Sequence, residues 1–62
     1  MIPDLTVVKL LHDIPSKGLK AGERGTVVMV FTSPSEAYEV EFGVERNDSI
    51  LVTLQPEDIE VE

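Results

Sequence analysis

The sequence predicts an all-β domain, on three observations. Short apolar runs follow one another, each bounded by Gly, Pro, Asn, Asp or Ser, with no helical periodicity between them. One run alternates strictly: over residues 38–42, Tyr38, Val40 and Phe42 fall on one face and Glu39 and Glu41 on the other. The 62 residues include no cysteine, so no disulfide substitutes for a core and burial must hold a single small domain together.

The elements follow in order. "LTVVKLLH" (residues 5–12) is the first strand, and "DIPSKGLKAGERG" (residues 13–25) is a long loop broken by Pro15, Gly18, Gly22 and Gly25. "TVVMVF" (residues 26–31) is the second strand. It does not alternate, as expected of a strand that bends and pairs in both halves of a small sheet. Val27 and Val30 are expected deepest, with Thr26 and Met29 nearer solvent or beneath the loop. After the polar connection "TSPSEA" comes the alternating third strand, residues 38–42. "GVERNDS" (residues 43–49) is a turn suited by Asn47 and Asp48, whose side chains bond nearby backbone. "ILVTL" (residues 50–54) is the fourth strand. "QPED" (residues 55–58) reads as one helical turn, with Pro56 fixing φ and Asp58 accepting local N–H bonds. "IEVE" (residues 59–62) is a short fifth strand. Five strands with a long first loop and a helical turn before the last make a small closed or nearly closed barrel. Val8, Leu10, Leu19, Val27, Val30, Val40, Phe42, Val52, Leu54 and Ile59 are expected to share its core.

The charge is distributed unevenly. Twelve acids against five bases give −7 overall. Residues 1–31 hold three acids and four bases, or +1, whereas residues 32–62 hold nine acids against Arg46 alone, or −8. Such a surface repels a polyanion, so nucleic acid is not an expected partner. No apolar run approaches the roughly 20 residues of a membrane span, and no cationic segment leads into an apolar one. The expectation is a cytoplasmic protein without membrane attachment, monomeric or a weak homodimer.

"GLKAGERGTVVMV", followed by "YEVEF", "LVTL" and "PEDIE", resembles a small bacterial family known as domain of unknown function 4926. The resemblance covers nearly the whole chain, and Gly22, Gly25, Thr26, Val27 and Val28 are its most specific part. The departure lies in "GVERNDSI", where the pattern leads us to expect a glycine and Asn47-Asp48 stand instead. The resemblance implies an SH3-like barrel. Its "GERGTV" segment is similar to the glycine-turn-strand of KOW modules, whose analogy supports a binding module without fixing the ligand. It also implies a protein partner encoded nearby, in an antitoxin-like or immunity-like relationship. The alternatives are a KOW-like module associated with RNA or the ribosome, and a small structural subunit of a larger complex.

The candidate chemistry narrows on inspection. A phosphate cradle needs a helix behind its glycines, but Gly25 leads into β-branched residues, so Gly22 and Gly25 are read as serving a turn. His12 is the sole histidine; Asp13 beside it points to the opposite face of a strand, and no serine gains a partner base. Glu39 with Glu41, and Glu60 with Glu62, align as pairs on exposed faces; these are solubilising, or a docking surface for a basic protein, and lack the shaped loop a calcium ion needs. No cofactor, metal or catalytic residue is expected, and the chain is not read as an enzyme. Lys17, Lys20 and Arg24 are the candidate partner-binding residues, the one basic cluster on an acidic protein.

Overall fold

The structure, a computed structural model, describes residues 2–62. Five strands, β1 (Val7–Leu10), β2 (Arg24–Phe31), β3 (Ala37–Phe42), β4 (Ile50–Leu54) and β5 (Ile59–Val61), form one antiparallel sheet in the order β4-β3-β2-β1-β5. The helical segments among the described residues are three single 3₁₀ turns, at Pro15–Lys17, Val44–Arg46 and Pro56–Asp58. The all-β class, the five strands, the long first loop and the turn before the last strand are therefore all present. Among the described residues no helix is long and apolar enough to cross a membrane.

The ladder does not close into a continuous barrel: β4 and β5 are its two edges. The Pro56–Asp58 turn does not reverse the chain beside β4 but carries β5 to β1, where Val8 faces Val61 and Leu10 faces Ile59. A lone sheet has no second layer, so its inner face is buried only if the sheet curls over itself. All five strands contribute to the resulting core, with Val8, Leu10, Val27, Tyr38, Val40, Phe42, Leu54 and Ile59 joined by Leu19 from the loop. The radius of gyration is 10.7 Å, close to the roughly 10.6 Å expected of a compact chain this long.

The second strand owes its missing alternation to a bulge. Its register with β3 steps from Val27↔Val40 to Met29↔Glu39, leaving Val28 as an extra residue. Val27 and Val30 thus share the inner side, Val27 fully buried and Val30 only partly, while Val28 and Met29 lie exposed. Val52 is also only partly buried, at the margin of the core. Tyr38, which alternation puts on the same face as Val40 and Phe42 although the expected core omits it, is fully buried. Its hydroxyl accepts from the Ile2 N–H at 3.0 Å and donates to the Glu36 carboxylate, so its polar end is satisfied. Burial, and then the bond to Glu36, pushes the phenol pKa up.

Two glycines have distinct tasks. Gly25 sits opposite both Val8 and Phe42, and a Cβ there would lie 2.7 Å from Val40 Cγ1 and 2.8 Å from Phe42 Cε1. Its reason is close packing; of the two glycines that the sequence assigned to a turn, Gly22, at φ +92°, is the one in the left-handed region. Gly43 at φ +80° opens the turn between β3 and β4, and Asn47 at φ +61° ends its 3₁₀ segment. Asparagine thus fills the left-handed position where a glycine was expected.

Candidate functional site

The loop between β1 and β2 is a folded unit. Ile14 and Leu19 exchange main-chain bonds of 2.8 and 3.1 Å around the Pro15–Lys17 turn, and the buried Leu19 side chain pins the unit to the core. Its second half is held by the Ala21 N–H donating to Asp13 Oδ1 (2.8 Å) and the Lys20 N–H donating to Glu23 Oε2 (3.0 Å). Gly22 and Glu23 then bond the main chain of Leu10 at 2.7 and 2.9 Å.

The three candidate binding residues occupy two different settings. Lys17 and Lys20 are exposed on the loop and, among the described residues, make no ion pair. Arg24 opens β2 opposite Lys9, and its Nε donates to Glu62 Oε2 at 2.8 Å. Arg24, Gly43 and Glu62 border two adjoining depressions of about 550 and 380 Å³. The larger includes Val7, Thr26 and Val44; the smaller includes Lys9, Glu23 and Arg46. Arg46 donates to Glu23 Oε1 at 3.2 Å, so both guanidinium groups there face carboxylates. The two guanidinium groups of the depressions are thus matched by carboxylates, whereas Lys9 at the smaller depression and the loop's Lys17 and Lys20 make no ion pair among the described residues.

His12 lies just beyond β1 and meets a residue that its sequence neighbours do not reveal. Its Nε2 is 2.7 Å from Asp58 Oδ1 and its Nδ1 is 3.1 Å from the Asp13 carbonyl oxygen. A carbonyl and a carboxylate only accept, so both ring nitrogens donate in the imidazolium form. The bond to Asp58, then that to Asp13, raises the His12 pKa, and the bond from His12 holds the Asp58 carboxyl below its ordinary value. Asp58 also accepts from the Gln55 N–H at 2.9 Å, capping its turn. The pair fastens β1 to the turn before β5, and both ring nitrogens bond acceptors rather than a hydroxyl nucleophile.

The acidic strand pair is also occupied. Thr53 Oγ1 donates to Glu39 Oε1 at 2.6 Å and Ser49 Oγ donates to Glu41. Exposed apolar side chains accompany these acids on the neighbouring strands: Val28, Met29 and Phe31 on β2 and Leu51 on β4. Sequence reasoning missed this set because the bulge at Val28 conceals which side β2 presents. It missed the His12–Asp58 pair because no local pattern connects residues 46 apart. Among the described residues no cluster of three His, Cys, Asp or Glu side chains forms a metal site.

These features define a small all-β domain, one curled antiparallel sheet with a folded loop at its first crossing. Residues 5–61 match the model of the family described as Domain of unknown function (DUF4926), and the chain belongs to that family. Neither the curated proteins nor the solved structures contain a match to it.

Proposed function

We propose that the chain is a non-catalytic SH3-like protein-interaction module whose loop of residues 13–25 meets an acidic surface of a partner protein. The strand order β4-β3-β2-β1-β5 and the 3₁₀ turn before β5 support the SH3-like assignment. The observation that carries the function is the pinned loop presenting Lys17 and Lys20, unpaired among the described residues, on a chain of net charge −7. A loop ordered before contact loses less entropy on binding than a mobile one. The surrounding acids repel wrong partners and set orientation more than they add affinity. Arg24 borders the contact with its charge matched by Glu62.

The partner to try first is the protein encoded beside this one, as the family resemblance implies. Calorimetric titration of that protein should give weaker binding for the Lys17→Ser/Lys20→Ser variant, and weaker still when Arg24→Ser is added. The loop variants should fold, because exposed charge changes typically cost no more than about 0.5 kcal/mol each. Equal affinity of the double variant and the parent overturns the loop assignment. Binding to RNA that falls steeply with salt, with no binding to the protein, moves the reading to a KOW-like module.

A further inference from the structure

The two edges of the sheet are protected to different degrees. β5 is three residues long, carries Glu60, and is followed by Glu62; short length and charge both discourage a foreign strand. β4, the opposite edge, reads Ile50-Leu51-Val52-Thr53-Leu54, without a charge or a proline. Its register with β3 runs unbroken from Phe42↔Ile50 to Tyr38↔Leu54, so no bulge twists it away. Among the described residues no second strand pairs with it. Alternate N–H and C=O groups along β4 therefore point outward from the sheet, the arrangement that strand addition uses.

The side chains beside this edge specify what would fit it. On β3, Glu41 lies opposite Leu51 and Glu39 opposite Thr53, so two carboxylates stand one strand in from the edge. Each already accepts a hydroxyl bond, which holds it in place and leaves it without a cation among the described residues. A second copy of the chain brings another −7 to the contact and is repelled. A basic segment is attracted. Strands lie about 4.8 Å apart, so a Lys or Arg on an added strand needs to span about 10 Å back to β3, within reach of two long side chains extended toward each other. Its aliphatic stem covers Leu51, which is 51% exposed, while its head approaches Glu41.

We propose that β4 is a strand-addition site for an extended basic segment of a partner protein, with Lys or Arg at alternate positions above Leu51 and Thr53. The site uses residues separate from Lys17 and Lys20, so either contact can fail without the other.

The probe is a capped peptide of about nine alternating Lys and Val residues, titrated into the isotope-labelled chain. Controls are a Glu/Val peptide and two Lys/Val peptides methylated on the main-chain nitrogens of either every Lys or every Val. Binding should slow hydrogen exchange at alternate amides within Ile50–Leu54. At least one methylated peptide should bind roughly tenfold more weakly, and the Glu/Val peptide not measurably. Glu39→Gln/Glu41→Gln, which keeps an acceptor oxygen for Thr53 and Ser49, should also weaken the Lys/Val peptide roughly tenfold, and Lys17→Ser/Lys20→Ser should leave it unchanged. Undiminished binding of both methylated peptides reduces the effect to charge alone and overturns the proposal. Absence of binding by the parent peptide, or equal binding of the Glu/Val peptide, overturns it as well.

Discussion

Gly25 is legible in the sequence as a breaker, but its physical reason emerges only from its neighbours across the sheet. Adding a Cβ places it within 2.9 Å of two core side chains, Val40 and Phe42, both fully buried and unable to retreat. Gly25→Ala is therefore expected to destabilise by about 1–3 kcal/mol, the usual cost of overpacking a filled core. Urea unfolding measures this, and a midpoint equal to the parent's contradicts the packing described. His12 is a residue of the opposite kind, exposed and dependent on pH. Its pKa is raised on folding, so its contribution is complete below the ordinary value of 6.5 and disappears as pH rises through the higher folded value. The Asp58 pKa is lowered, so its contribution is complete above 3.8 and disappears as pH falls through the lower folded value. Thermal melts from about pH 6 to pH 9 should lower the parent Tm toward that of His12→Gln, with the gap narrowing as the imidazolium deprotonates. A constant gap across that range removes the ion pair from the account.

At the level of elements, what the sequence conveys depends on whether side-chain period survives in it. β3 keeps a clean period of two, and its inward residues Tyr38, Val40 and Phe42 are all fully buried. β2 loses the period because Val28 is inserted, an event that leaves no residue-type signature in a run of valines. β1 is shorter than its apolar run, since Leu5 takes φ +65° and His12 turns toward Asp58. The folded form of the 13–25 loop rests on the Ile14–Leu19 bridge, which composition does not announce. Val40→Asp tests the best-defined element. It buries a charge between Val27 and Val52 at a fully enclosed position, where no partner base lies opposite. Loss of the cooperative unfolding transition is expected; a parent-like melt would reverse the assigned faces of β3.

For the molecule as a whole, the balance is between repulsion and a small number of ion pairs. Among the described residues His12–Asp58, Arg24–Glu62 and Arg46–Glu23 are paired, all with an exposed partner, in a chain that has twelve acids. Exposed pairs of this kind are screened by water and salt and add little to stability. Repulsion among the nine acids of residues 32–62 acts across the compact state and relaxes in the expanded chain. Sodium chloride near physiological strength, with a Debye length of about 8 Å, should accordingly raise the Tm. A Tm that falls in salt indicates that the pairs outweigh the repulsion. The uneven charge was readable from composition, whereas the pairing of Arg24 with Glu62 required the sheet to bring residues 38 apart together.

The adjacency of β1 and β5 also bears on the order of folding. Forming the Leu10↔Ile59 pair encloses the 48 residues between them, while Phe42↔Ile50 encloses seven. Chain statistics make the larger closure about 1.7 kcal/mol more costly in entropy. The meander of β2, β3 and β4 is thus favoured in the transition state, with β5 docking late. In stopped-flow measurements Val40→Ala should slow refolding, whereas Ile59→Val should mainly accelerate unfolding. If Ile59→Val instead retards refolding in proportion to its loss of stability, the distant pairing is part of the nucleus.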